Sequence, residues 1–204
     1  MSSLLSTDTR SKPLQERSAR RIAHLLDAAA SLIAESGYDA LTMTAIAERA
    51  GASIGALYRW FPDKEAVAVA LRSRYATELQ DHWGPFVSGA QGLSVTEFSD
   101  GLIDRMVEFC DARPAYLPLV SAPVKFVRDP AARKKLRDAF VDAFQAFNPE
   151  LSQEKASMMA SVAIQVVKGL LALYGEAEPK ARKSLTREFK KVLALYLADA
   201  VDKQ

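Results

Sequence analysis

The residues of this chain best suited to chemistry form a basic and aromatic cluster behind a glycine-rich stretch. In Gly51–Phe61, GASIGALYRWF, two glycines stand within five residues and are followed by Tyr58, Arg59 and Trp60. Glycine discourages a helix, whereas the residues from Leu57 onward could continue one. The stretch is therefore either a loop that leads into a helix or a turn that directs a short helix at a partner.

A second basic group crowds the start of the chain. The first 74 residues hold ten Lys and Arg against eight Asp and Glu, and the remainder is balanced, so the net charge of +2 lies in the first third. Such a cluster can bind phosphate, and the alternative is a solvated tail. The basic residues concerned are Arg10, Lys12, Arg17, Arg20 and Arg21.

The composition argues against an enzyme and against a metal site. His24 and His82 lie far apart in the chain, and Cys110 is the single cysteine, which excludes an intrachain disulfide and disfavours a zinc cluster. We find no nucleophile–base pair, phosphate loop or metal-ligand spacing. We therefore expect no catalytic residue, no metal and no cofactor. One cysteine also suits a reducing cytosol, so we expect a cytoplasmic protein.

The most apolar tract, residues 158–175, is MMASVAIQVVKGLLALYG, and three polar residues interrupt it. These are Ser161, Gln165 and Lys168. A membrane-spanning helix needs about 20 apolar residues. We expect a buried packing helix here and no membrane partner.

Apolar spacing predicts helices throughout, and no segment alternates as a strand would. Thr42, Ser53 and Asp63 precede three predicted helices as caps, and the third helix reaches Trp83, before Gly84-Pro85. Three prolines limit residues 113–123 to short helical pieces. The remaining predicted helices are Arg20–Gly37, Ser94–Ala112, Asp129–Phe147, about Glu150–Tyr174 and Pro179–Val201.

Thr42–Phe61 has the parts of a helix-turn-helix, in which one helix braces on the DNA backbone and the second enters the major groove. Gly51-Ala-Ser provides a tight turn, and the small residues Ala47 and Ala50 allow the two helices to touch. By these mechanics alone, a DNA-binding unit and an ordinary three-helix corner of an all-α core both remain open.

Leu41–Leu71, LTMTAIAERAGASIGALYRWFPDKEAVAVAL, resembles the DNA-binding segment of the tetracycline-repressor (TetR) family. The similarity covers about residues 18–72, and beyond it only length and helical layout agree. The matching features are the threonine opening, the Ile-Ala pair at 46–47, Ala-Gly at 50–51, Ser53, Gly55, Leu57-Tyr58, Phe61 and Lys64.

The resemblance implies an all-α protein with an N-terminal three-helix helix-turn-helix DNA-binding domain (14–72, motif about 42–61). A larger helical ligand-binding and dimerisation domain (73–204) would follow. The implied function is a homodimeric regulator, most often a repressor released from a palindromic operator by a small hydrophobic or aromatic effector. Its implied partners are double-stranded operator DNA, a second copy of the chain and that effector. The alternatives are a helical adaptor, or a regulator of the same fold that responds to a protein partner or to no ligand.

The resemblance also implies a set of DNA contacts. Tyr58 would give its hydroxyl to a phosphate while its ring packs inside, and Trp60 would be either core edge or a backbone contact. Ile54 and Ala56 depart from the polar residues usual in the family, so we hypothesise that they read thymine methyl groups. Arg59 would contact either guanine or phosphate. The full set is Arg17, Arg20, Arg21, Thr42, Met43, Thr44, Ser53, Ile54, Gly55, Ala56, Tyr58, Arg59, Trp60 and Lys64.

Two further sets of residues follow from the same resemblance. A ligand pocket would be lined by large side chains of the second domain, namely Trp83, Phe86, Phe98, Met106, Phe109, Tyr116 and Phe126. The last two helices would form the dimer interface as half of a four-helix bundle. Its residues would be Val162, Val166, Leu170, Leu173, Leu185, Phe189, Val192 and Tyr196.

Overall fold

The computed structural model describes residues 11–127 and 129–202, with the side chains of 16–127, 129–199 and 201. Within these ranges the chain forms nine helices and no strand, which confirms the predicted all-α fold. The helices are α1 Ser11–Ser36, α2 Met43–Arg49, α3 Ile54–Tyr58, α4 Lys64–Ser88, α5 Val95–Ala112, α6 Tyr116–Ser121, α7 Pro130–Phe147, α8 Gln153–Glu176 and α9 Pro179–Asp202.

Three predicted caps begin the helices around the turn. The side-chain oxygens of Thr42, Ser53 and Asp63 each accept a hydrogen bond from the backbone N–H three residues later, at 3.1, 3.2 and 2.7 Å. These bonds satisfy amide groups that have no partner inside the helix. The caps confirm where α2, α3 and α4 begin.

Two helix boundaries differ from the prediction. Within the described residues α1 is already helical at Ser11, upstream of the predicted start at Arg20. α4 does not end before Gly84-Pro85 but continues to Ser88. Trp83 and Val87, one turn apart, are both buried, and this burial outweighs the single hydrogen bond that Pro85 cannot donate.

α4 lies at the centre of the molecule. It packs against α1 on one side and against α5, α6 and α7 on the other, while α5 packs on α9 and α8 on both α7 and α9. α4 therefore contacts the N-terminal helix α1 and also three helices of the C-terminal part.

An aromatic cluster fills the core between α4, α5 and α7. Phe98 is fully buried and stacks on Phe86 at a centroid distance of 5.6 Å, with Phe140 edge-on at 6.2 Å. The Phe86 ring covers Gly101 of α5 so closely that a Cβ there would overlap the ring. The Arg105 guanidinium lies 3.8 Å from the centroid of the same ring.

α8 is the one described helix that is long and apolar enough, by length and composition, to cross a membrane. In the structure it packs against α7 and α9, and 39% of its most apolar window is buried. Its remaining apolar residues include Met158 and Leu173, which are exposed. α8 therefore packs against neighbouring helices along one side and leaves apolar side chains exposed on another.

Candidate nucleic-acid interface

The turn between α2 and α3 is held by backbone bonds and one side chain. Gly51 has φ +58°, a conformation that favours glycine, and the Ala52 N–H donates to the Ala47 carbonyl at 2.9 Å. His24 of α1 places its Nε2 3.1 Å from the Ala50 carbonyl oxygen. Sequence reasoning missed this role of His24, because only the fold brings α1 to the turn.

α3 has one inward and one outward face. Leu57 is completely buried, whereas Ile54 and Tyr58, which are one turn apart, are 41% and 52% exposed. Ser53, Gly55 and the neighbouring Arg59 and Thr44 are exposed too, while Met43 and Ala56 are partly buried. The expectation that the Tyr58 ring packs inside is wrong, because Leu57 already occupies the core position of this short helix. The exposed side of α3 thus carries both hydroxyl groups and an apolar side chain.

Trp60 lies at the edge of this surface and is partly buried against the core. Its indole N–H is buried and has no hydrogen-bond partner in the described part of the chain. The Arg59 guanidinium lies 5.8 Å from the centre of the Trp60 ring. A buried indole N–H cannot reach a phosphate without moving, so this geometry favours the core-edge interpretation of Trp60.

Lys64 is engaged in the free protein. Its amine donates to the Asp39 carbonyl at 3.1 Å and lies 4.8 Å above the Tyr38 ring. Burial, followed by the carboxylates of Glu65, Asp63 and Asp39, raises the pKa of Tyr38. A phosphate contact by Lys64 therefore has to compete with the Asp39 carbonyl.

Arg49, which sequence reasoning did not assign, joins α2 to α1. Its guanidinium makes two hydrogen bonds of 2.7 Å to the Glu35 carboxylate. This hydrogen bonding lowers the pKa of Glu35 below its ordinary value. The pair braces α2 and removes Arg49 from the basic groups free to meet DNA.

The basic residues Arg17, Arg20 and Arg21 are exposed along the first half of α1. None of them makes an ion pair with another described residue. Arg10 and the side chain of Lys12 lie outside the described residues. The N-terminal positive charge is thus carried on a helix face.

A cavity of about 830 Å³ opens between α4, α6, α7 and α8. Of the seven residues predicted to line a pocket, Tyr116 and Phe126 line this cavity. The structure corrects the other assignments, because those large side chains pack into the core cluster of buried and partly buried residues. They are Trp83, Phe86, Phe98, Met106 and Phe109.

Sequence reasoning missed most of the cavity lining, although one signal was present. Ser161, Gln165 and Lys168, the residues that interrupt the apolar tract of α8, all line the cavity. They are one turn apart on a single helix face. Polar residues that recur on one face of an otherwise apolar helix indicate that this face borders a cavity and not the packed core.

The surface of α8 and α9 carries most of the predicted interface residues. Leu173 and Val192 are 49% and 51% exposed, and the unassigned Met158 and Leu195 are more exposed still, at 63% and 62%. Leu170 is buried inside its own chain, which corrects its assignment to the interface. The partly buried remainder is Val162, Val166, Leu185, Phe189 and Tyr196.

Comparison with known proteins matches both parts of the chain. Residues 25–71 match the family of bacterial regulatory proteins, tetR family, and residues 94–197 match the tetracyclin repressor-like C-terminal domain. The HTH-type transcriptional repressor KstR of Rhodococcus jostii is 40% identical over 70 residues, 34% of this chain and 32% of that protein. KstR of Mycobacterium tuberculosis is 30% identical over 94 residues, 46% and 43% of the two chains. The match thus spans less than half the length of these curated relatives.

Solved structures share the fold. A TetR-family transcriptional regulator from Streptomyces coelicolor superposes with a TM-score of 0.66 at 22% identity, covering 88% of this chain and 99% of that chain. A single-residue variant of TetR from Acinetobacter baumannii, in complex with minocycline, superposes with a TM-score of 0.63 at 16% identity. That match covers 86% of this chain and 93% of the other.

Proposed function

The chain belongs to the TetR family of DNA-binding regulators, and from this premise we propose that it is a homodimeric repressor that leaves a palindromic operator when a small ligand fills the cavity. Membership of this family makes it a transcription factor and not an enzyme. We retain residues 14–72 and 73–204 as the proposed DNA-binding and ligand-binding domains, and we propose that the protein acts in the cytoplasm.

The outward face of α3 supports the DNA contact. Ser53, Ile54 and Tyr58 lie at the start and on the exposed side of this helix, and Thr44 is exposed at the start of α2. A short helix of this kind fits the major groove, with hydroxyl groups reaching phosphates and apolar groups meeting thymine methyls. The exposed arginines of α1 would then hold flanking phosphates.

The apolar surface of α8 and α9 supports the homodimer. Met158, Leu173, Val192 and Leu195 are large apolar residues that are at least about half exposed in the single chain. Exposed large apolar side chains on two helices that pack together are typical of a protein–protein contact surface. A second copy related by two-fold symmetry would cover them and set two α3 helices against two half-sites.

α4 supports the release step, since it carries both DNA-side and cavity-side contacts. At its start Lys64 bonds to Asp39, and about 22 Å further along Leu79 lines the cavity. Between them Arg72 donates to the carbonyls of Val124 and Val120 at 2.6 and 2.5 Å. A ligand that displaces the α6 end would shift α4 and the helices packed on it.

The observation that carries the proposal is the outward face of α3, and footprinting of the purified protein on DNA upstream of its own gene tests it. We expect protection of two half-sites with two-fold symmetry, with centres about one helical turn (10–10.5 bp) or a multiple apart. The binding should weaken steeply with salt. An absence of salt-dependent duplex binding would favour the adaptor, and a single unsymmetrical site would overturn the dimer.

A finer experiment asks what Arg59 contacts. We expect Arg59→Ala to weaken operator binding, and the pattern across base variants separates the two possibilities. A uniform loss across operator variants indicates a phosphate contact, while a loss confined to one guanine position indicates base reading. Lys135→Ala, an exposed charge on α7 remote in sequence from the reading face, is the matched control.

A further inference from the structure

The cavity between α4, α6, α7 and α8 is lined by cations and by no anion among its described residues. Arg72, Arg133, Arg137 and Lys168 contribute to its wall, and no Asp or Glu does. Asp129 belongs to a small adjacent pocket and caps α7 by accepting from the Ala131 N–H. The charged side chains of the described cavity wall are therefore all positive.

The cations and the apolar residues occupy different parts of the wall. Arg133, Arg137 and Lys168 are exposed, so they form the rim of the opening. The buried part of the wall is apolar and includes Leu79, Leu136, Leu171 and Val124. The cavity thus combines an apolar interior with a basic mouth.

The rim cations are available to a ligand. Within the described part of the chain, Arg133, Arg137 and Lys168 have no side-chain hydrogen bond or ion pair, whereas Lys134, on the same helix, pairs with Asp138. Arg72 differs, because it is already bound to two carbonyls and its pKa is lowered by burial. The positive charge of the mouth is accordingly concentrated in the three rim residues.

We propose that the effector is an anionic amphiphile, with an apolar body in the buried part of the cavity and one negatively charged head held by Arg137 and Lys168 at the rim. This inference rests on the proposed function, since it names the ligand class of the same cavity. The volume of about 830 Å³ lies within the roughly 300–1,000 Å³ usual for small-molecule sites. Charge-assisted hydrogen bonds to a carboxylate or phosphate supply the selectivity, while cationic compounds are repelled.

The probes are four compounds with the same twelve-carbon chain, used below their micelle concentrations. Dodecanoate and dodecyl phosphate carry the two candidate anionic heads, dodecanol is neutral, and dodecyltrimethylammonium is cationic. By calorimetry we expect at least one anion to bind about tenfold or more tighter than dodecanol, the difference expected from a charged hydrogen bond. The ratio between dodecanoate and dodecyl phosphate identifies the head group.

The variant Arg137→Gln with Lys168→Gln leaves Arg133 as the one unpaired cation of the described rim, so it is expected to remove most of the preference for the anion over dodecanol and to leave dodecanol binding unchanged. The matched control, Lys135→Gln with Lys183→Gln, removes the same charge at exposed positions that do not line the cavity. It should keep the preference for the anion. Thermal melting shows whether each variant is folded.

Three outcomes would overturn the ligand class: dodecanol binding as tightly as both anions, tight binding of the ammonium compound, or an equal loss in the control variant. The last would mean that the rim charges act only as a solvated face. Operator binding is measured separately. Charge-selective binding that leaves operator affinity unchanged supports the ligand class and counts against the release step, whereas release by neutral compounds alone supports release and overturns the ligand class.

Discussion

The surface proposed to read DNA and the cavity proposed to bind the effector are built in opposite ways. The reading surface comes from residues 42–59, which are neighbours in the chain and project outward from two short capped helices. The cavity draws its wall from α4, α6, α7 and α8, whose residues are up to a hundred positions apart. A reading surface of this kind is a local property of the chain, whereas a cavity exists only after the helices have packed. Variants that change either a local feature of the chain or the packing of the helices, but not both, test this difference.

The largest expected effect comes from the inward face of α3. Leu57→Ala removes a fully buried side chain and should destabilise the protein by about 2–5 kcal/mol, with loss of operator binding. Ile54→Ala, on the outward face of the same helix, should change stability by no more than about 0.5 kcal/mol and alter operator preference instead. Chemical denaturation and operator titration measure both. Equal stability losses would contradict the two-faced description of α3.

The two glycines of the turn form the next pair. Gly51→Ala should cost about 1–2 kcal/mol, because φ +58° strains any residue with a Cβ. Gly55→Ala should be neutral or stabilising by up to about 1 kcal/mol, since Gly55 is helical and, apart from its chain neighbours and its own helix backbone, no described atom lies within 4 Å of the added Cβ. We nevertheless expect Gly55→Ala to weaken operator binding by removing the close approach to DNA. Unchanged operator affinity in a stabilised Gly55→Ala protein would remove Gly55 from the reading surface.

A smaller effect is expected where the two regions are connected. Arg72→Met breaks both bonds to the α6 end, and allosteric coupling is typically about 1–3 kcal/mol, so the ligand-induced loss of operator affinity should fall by about fivefold. Because Arg72 also contributes to the cavity wall, calorimetry with the same probe measures ligand binding separately, and release is compared at equal occupancy. If the ligand still released the variant fully from the operator, another contact would have to connect the cavity with the DNA-binding helices. The Arg74–Asp27 ion pair between α4 and α1 is the next candidate.

The smallest effect concerns a capping box far from both sites. Ser94 donates to the Glu97 carboxylate from its backbone N–H and its hydroxyl, and these bonds lower the pKa of Glu97. Glu97→Gln should lower Tm by no more than about 2 °C at pH 7. A lowered folded-state pKa stabilises above the unfolded value, so the difference should disappear as the pH falls below about 4. A difference that grows in acid would contradict the assignment, and operator binding at pH 7 should not change.

The sequence predicted the local features and missed those that depend on packing. The caps at Thr42, Ser53 and Asp63 were predictable because each depends on a hydroxyl or carboxylate three residues from its partner. The continuation of α4 past Pro85 was not, because it depends on burial of Trp83 and Val87 by other helices.

Dependence on packing also explains why two predictions for the second domain were wrong, the pocket lining and the interface assignment of Leu170. In the sequence, large aromatic residues such as Phe98 and Phe109 are compatible with a pocket and with the core. In the structure they are buried in the core. The cavity lining was readable only through the polar interruptions of α8. Leu170 likewise shares its apolar character with the exposed Leu173, and only the three-dimensional arrangement separates them.

The contact between Phe86 and Gly101 restricts how this protein can change in evolution. Because the ring fills the space that a Cβ at position 101 would need, no single replacement of Gly101 is accommodated while the ring stays in place. A side chain at 101 requires either that the Phe86 ring moves aside or that residue 86 becomes smaller. We expect the two positions to vary together among descendants of this sequence, with glycine at 101 wherever an aromatic ring is kept at 86.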